Sequence, residues 1–136
     1  MLHYMLDTNT VSYALRGKPA AVRARLDRVP MSQVCISAVT EAELRFGVAL
    51  QPSATSLAQL IDRFLSSVTC APWDSSAAKS FAVLATLSQQ KGRRLAAMDL
   101  LIAAHAHSLG LTLVTSDDAF TALRLALVLE NWSVSP

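Results

Sequence analysis

The chain of 136 residues is short of several things, and each shortage narrows what it can be. Its two cysteines, Cys35 and Cys70, stand alone with no CxxC or other metal-ligand spacing, which excludes a disulfide scaffold and a cysteine-built zinc site. They read as two small apolar thiols in a reducing compartment. Charged residues are only 16% against 52% hydrophobic, a balance that excludes disorder and calls for a well-filled core. Neither sign of charge dominates: 12 Lys and Arg face 10 Asp and Glu, a formal charge of +2. So mild an excess neither demands nor excludes a nucleic-acid partner. Mean hydropathy is positive (+0.36), yet Arg63, Arg94 and Asp99 interrupt the apolar runs before they reach the roughly 20 residues of a bilayer span. The opening MLHYMLD has no basic leader and meets Asp7 at once, unlike a signal peptide. No P-loop, GxSxG or GxGxxG is present. These bounds predict one domain over residues 1–136, working in the cytoplasm with no membrane segment.

What is present is a set of short apolar runs separated by helical periodicity. Leu2 to Leu6 reads as a buried strand with His3 packed on it, and Asp7, Thr8 or Asn9 would cap the helix that follows to about Arg16. Pro19 suits the first turn of a second helix with Ala20, Val22 and Leu26 inward and Arg23, Arg25 and Arg28 outward. Val34 to Ser37 reads as a strand, and a helix starting at Thr40 runs to about Leu50. Leu57, Leu60, Ile61, Phe64 and Leu65 keep a 3.6-residue period. Val68 to Pro72 is β-prone, and a long helix from Ser75 with Phe81, Leu84 and Leu87 inward stops at Lys91-Gly92. Leu95 to Leu109 is a nearly apolar helix closed by Gly110. LTLVT (111–115) is the clearest strand, and Leu125 to Leu129 is a candidate last one. Continuous apolar strands alternating with helices predict an α/β fold, a parallel sheet covered on both faces.

With only ten acids, their positions carry information. Asp7 ends the first strand, Glu41 and Glu43 follow the second, and Asp117 and Asp118 follow LTLVT. In a parallel sheet that is the edge where ligands bind. Asp99 lies in LAAMDLLIAAHA, with only Leu95, Ala96, Ile102 and Ala103 at the three- and four-residue spacings. A carboxylate on such a stripe is costly to bury without a partner, and a hard divalent cation, Mg2+ or Mn2+, is the economical partner for several converging acids. Each acid also has a purely structural reading. Asp7 can cap a helix, Glu43 can complete a Thr40-x-x-Glu43 capping box, Glu41 can be a solvated first-turn acid, and Asp117 or Asp118 can be turn residues. For Asp99 the structural reading requires a helix starting near Ala96 or Ala97. His105 and His107, two residues apart on a helix, point to different faces and are poor co-ligands.

The segments MLDTNTVSY, ISAVTEAELRFG, AAMDLLIAAHAHSLGLTLVTSDDAF and LVLENW resemble, in order and almost end to end, PIN-domain ribonucleases, in particular VapC-type toxins of bacterial toxin–antitoxin pairs. The resemblance implies a PIN-like three-layer α/β/α fold around about five short parallel strands. It matches Asp7, Glu43, Asp99 and Asp117 to the four family acids, with Asp118 a substitute for the last, and Asn9 and Thr115 to polar positions of the same pocket. It implies that Asp7, Asp99 and Asp117 hold Mg2+ or Mn2+, that Glu43 helps to position the metal or the attacking water, and that RNA, with initiator tRNA the first choice, is hydrolysed. A VapB-type antitoxin and homodimerisation are implied as well. Arg45, Lys91, Arg93 and Arg94 lie where they can meet phosphates, and Arg16, Lys18, Arg23, Arg25 and Arg28 form a second basic cluster; ordinary solvated surface is the alternative for each. Two rival functions stay open on the residues alone. Asp7-Thr8-Asn9-Thr10 resembles the loop of haloacid-dehalogenase-type phosphatases, although Asn9 stands where a proton-donating Asp is needed. A PIN-like binding module without chemistry is the other.

Overall fold

A computed structural model describes residues 1–92 and 95–134. Five strands, β1 (Tyr4–Leu6), β2 (Val34–Ser37), β3 (Thr69–Ala71), β4 (Thr112–Val114) and β5 (Leu129–Glu130), form one sheet in the order β3-β2-β1-β4-β5. Every pairing is parallel. The chain steps outward from β1 through β2 to β3, then crosses back to lay β4 on the other side of β1. The strand order therefore reverses between β1 and β4, and the crevice at their carboxyl ends is the natural binding edge of such a sheet.

Helices fill both faces because the strand side chains alternate. Leu6, Val34, Ile36 and Val114 point to one face, which is covered by α1 (Thr8–Arg16), α2 (Ala20–Arg28), α3 (Ala38–Ala49) and α4 (Thr55–Ser67) through Val11, Val22, Leu26, Leu44, Ile61 and Phe64. Met5, Cys35 and Leu113 point to the other, under α5 (Ser75–Gln90) and α6 (Ala97–Leu109) and a 3-10 segment at Asp118–Leu123, through Leu84, Ile102, Phe120 and Leu123. This is the three-layer arrangement expected from the apolar strands. Among the described residues no helix is long and apolar enough to cross a membrane. The two thiols lie on opposite faces of the sheet, and burial pushes Cys35 up to about 12, so it behaves as a small apolar side chain.

Several local expectations are corrected. His3 is exposed and precedes β1 rather than packing on it. Pro19 is the cap of α2 and not its first residue, Ala20 is exposed, and Arg25 turns partly inward to meet Glu130 at 3.2 Å and lie over Trp132. α3 begins at Ala38 because the Ser37 hydroxyl accepts from the Val39 amide and caps it early. Leu125–Val128 is not a strand: the amides of Ala126 and Leu127 turn back onto the Leu123 carbonyl, so parallel pairing starts only at Leu129. Leu125 and Val128 are left in solvent.

Candidate active site

The end of β1 delivers Asp7 into the crevice. Asp7 is almost fully buried and caps α1, its Oδ1 accepting from the Thr10 amide at 2.8 Å. The structural reading of this residue is thus correct, and it does not exhaust the side chain. The Thr115 hydroxyl at the end of β4 also donates to the carboxylate, and Thr115 Oγ1 accepts from the Asp117 amide at 3.1 Å. Burial is the main force pushing the Asp7 carboxyl above its ordinary range, the hydrogen bonds oppose it, and the Asp117 charge adds to it.

Asp99 enters from the opposite layer. α6 starts at Ala97 with Ala96 as its cap, so Asp99 does occupy the first helical turn, the position its structural reading required. A first-turn acid is favoured by the helix dipole, yet here its carboxyl is raised from 3.8 to about 6. Desolvation is the largest cause, followed by the charges of Asp117, Asp7 and Glu43. Four carboxylates from four separate segments therefore share one electrostatic environment. None of the ion pairs among the described residues involves any of them. Asp118 is absent from this set of interacting charges, which makes Asp117 the fourth acid of the cluster; its Oδ1 also caps the 3-10 segment through the Ala119 amide at 2.9 Å.

Glu43 reaches the cluster by a route the sequence concealed. The expected capping box is not formed, because Ser37 takes the cap and leaves Thr40 in the first turn of α3 and Glu43 in the second. Thr40 is fully buried, and its hydroxyl lies 3.2 Å from Thr8 Oγ1, while Thr8 donates to Glu43 Oε1 at 2.6 Å. Two further residues fix the frame. His105 is buried on α6, with Nδ1 2.7 Å from Ser37 Oγ and a hydrogen bond to the Pro72 backbone. A carbonyl only accepts, so the nitrogen facing Pro72 carries the proton and Nδ1 accepts from Ser37. This bond ties the helix that carries Asp99 to the cap of the helix that carries Glu43. His107 turns to another face and meets Ser80 Oγ at 2.7 Å, as its spacing required.

The remaining expected contacts are distributed differently. Asn9 is exposed on the first turn of α1. Arg45 is paired with Glu41 at 2.8 Å along α3, which also holds the Glu41 carboxyl below its ordinary range. Arg93 and Arg94 lie outside the described residues. In the second basic cluster Arg23 pairs with Asp27, Arg25 with Glu130, and Arg16 lies over Tyr13. A cavity of about 450 Å3 lies away from the acids, between α1, α2 and α4, lined by Leu15, Leu26 and Phe64 with Arg23 and Arg63. A cleft of about 70 Å3 lined by Thr115, Asp117, Arg124 and Asn131 does adjoin them.

With this geometry in place, comparison with known proteins is decisive. The PIN domain family model matches residues 4–125. The chain belongs to the PIN-domain family. Within it the relatives include VapC proteins. Ribonuclease VapC2 of Haemophilus influenzae is 33% identical over 97% of this chain and 99% of its own length. The tRNA(fMet)-specific endonuclease VapC of Shigella flexneri is 32% identical over 98% of this chain and its whole length. The crystal structure of VapBC2 from Rickettsia felis, bound to a DNA fragment from its promoter, superimposes with a TM-score of 0.86 at 32% identity, covering 96% of this chain and 99% of that one. The similarity of this chain to VapC proteins runs almost end to end, and the chain has the PIN-like three-layer fold.

Proposed function

We propose that the chain is a metal-dependent endoribonuclease that cuts tRNA, with initiator tRNA as its first substrate, and that Asp7, Glu43, Asp99 and Asp117 form the hydrolytic centre. The observation that carries this reading is the convergence of those four carboxylates: burial first, and then the charges of Asp117, Asp7 and Glu43, raise Asp99 to about 6. Among the described residues no three His, Cys, Asp or Glu side chains form a ready-made cage for an ion. The donor set still fits Mg2+ or Mn2+: all-oxygen, hard and unneutralised, with Mg2+ commonly held by one or two carboxylates and completed by water and substrate phosphate. Asp7, Asp99 and Asp117 are the residues that would hold it. A bound ion supplies Lewis acidity at the phosphate and lowers the pKa of a bound water.

The chain's own residues do the rest. Asp7 is fixed by the Thr10 amide and the Thr115 hydroxyl, so one ligand is held before substrate arrives. Glu43, held by Thr8, would orient the attacking water or take its proton. A cleft of about 70 Å3 lies beside Thr115 and Asp117. Arg124 lines that cleft, where its charge would face a phosphate. A VapB-type antitoxin is the proposed inhibitor, the toxin is proposed to act as a homodimer, and the cytoplasm is where it acts.

Expression in a host with and without the antitoxin, followed by mapping of new RNA 5′ ends, tests this reading. The expected result is a small set of ends in tRNA, appearing only without antitoxin and absent with Asp7→Asn. Ends that persist unchanged with Asp7→Asn would refute it. The phosphatase alternative predicts hydrolysis of a generic phosphate monoester, which the nuclease reading does not.

A further inference from the structure

We infer that Thr8, backed by Thr40, is a positioning residue for Glu43: its hydroxyl locks one oxygen of that carboxylate across the junction of α1 and α3. The inference rests on the nuclease reading and extends it to a residue that contacts neither metal nor substrate in that scheme.

Thr8 Oγ1 lies 2.6 Å from Glu43 Oε1 and 3.2 Å from Thr40 Oγ1. A hydroxyl has one proton to give and room to accept two, whereas an ionised carboxylate only accepts. The single Thr8 proton therefore goes to Glu43, and the contact with Thr40 is closed by the Thr40 proton. The donors run in one direction, from Thr40 through Thr8 to Glu43. At 2.6 Å the last bond is in the range of charge-assisted O–H···O⁻ bonds, about 2.5–2.7 Å.

Two features separate this from incidental packing. Thr40 is wholly buried, so its hydroxyl must be satisfied internally, and Thr8 is the partner. Glu43 is half-buried, on a long side chain that solvent would otherwise let rotate. Holding such a group in one orientation before the reaction is what a reacting centre requires. Thr8 is also the first residue of α1, directly after Asp7, which caps that helix. One turn of backbone thus sets the place of the first acid through the cap and the direction of the second through the hydroxyl.

The test uses the full chain with Thr8→Val, which keeps the shape and removes the donor, Thr8→Ser, which keeps the donor, Glu43→Ala, and the double variant Thr8→Val/Glu43→Ala. Thr8→Ala runs beside Thr8→Val so that one poorly folding variant does not decide the matter. Two readouts are taken: urea unfolding in EDTA, and kcat and KM for tRNA cleavage in Mg2+. A hydrogen bond to a charged group predicts that the two single losses couple by about tenfold or more in the unfolding equilibrium. In catalysis Thr8→Val is expected to lower kcat by about tenfold or more with KM nearly unchanged. It should cost nothing further in the Glu43→Ala background, and Thr8→Ser should recover most of the loss. Independent, multiplying effects in an active enzyme overturn the inference and leave the nuclease reading intact. A wild-type chain that cuts no RNA overturns both.

Discussion

Asp7 and Asp99 lie close enough for the charge of one to act on the other, although one caps the helix after the first strand and the other sits in the opening turn of the last long helix, under the opposite face of the sheet. The switch in strand order makes this possible. The crevice between β1 and β4 receives the first acid from the strand end and the other from the helix that leads into β4. Neither acid has a cation beside it among the described ion pairs, and that imbalance has measurable consequences.

Stability should fall with rising pH through the range in which Asp99 loses its proton. Its folded-state value is about 6 against an ordinary 3.8, so between those values the folded chain binds more protons than the unfolded chain. The slope of unfolding free energy with pH is then negative, and the penalty is complete above about 6. Asp99→Asn removes it. Thermal melts in EDTA should show a higher Tm for Asp99→Asn at pH 7.5 and little gain below pH 4. An equal or lower Tm at pH 7.5 would show that the charges are not crowded.

Magnesium should reverse the same penalty. An ion that binds only the folded chain adds about 2.7 kcal/mol at a concentration a hundred times its Kd. Melts over a Mg2+ series are expected to rise for the wild type and to stay flat for Asp7→Asn. Parallel curves for the two proteins would remove Asp7 from the ion site.

His105 contributes with the opposite sign. Burial lowers its pKa below the usual 6.5, with the Asp74 charge and the Pro72 hydrogen bond opposing, so the fold favours the neutral ring. Its contribution is present above about 6.5 and is lost as the pH falls through the depressed folded value. His105→Ala leaves the Ser37 hydroxyl and the Pro72 carbonyl without their partner and opens a cavity, a cost of about 2–4 kcal/mol at pH 7.5. Urea unfolding in the Asp99→Asn background isolates the effect. The variant should lose less at pH 5.5 than at pH 7.5, and equal losses at both would contradict the neutral-ring assignment.

Asp117 and Asp118 should separate cleanly. Only Asp117 belongs to the interacting charges, and Asp118 begins the 3-10 segment in solvent. Asp118→Asn is expected to keep RNA cleavage within about twofold. Asp117→Asn should lose about tenfold or more, since metal-assisted stabilisation is worth several kcal/mol. The reverse order would move the fourth acid by one residue.

Much of this molecule was legible in its sequence, for physical reasons that differ by element. Runs such as Val34–Ile36 and LTLVT have no polar face, which only a doubly covered parallel sheet tolerates, so the layers and the acids at the strand ends could be read directly. Asp99 was legible because a charge on an apolar helix with no neighbouring cation needs a partner elsewhere. The start of α3 was not, since Ser37 and Thr40 are both competent caps and only the tertiary bond from His105 to Ser37 distinguishes them. Once the cap moved, Thr40 was free to meet Thr8, a pairing between distant segments that no local pattern encodes. Leu125–Val128 departs from its apolar pattern for a related reason: the composition suits a strand, but the amides of Ala126 and Leu127 bond to the Leu123 carbonyl first.

The most direct test is cleavage of end-labelled initiator tRNA in Mg2+ by the purified wild type, Asp7→Asn and Asp99→Asn, each first shown to be folded. If four segments build one hydrolytic centre, the wild type cuts, EDTA stops it, and each variant falls by about a hundredfold or more. Cleavage at the wild-type rate by both variants would contradict it.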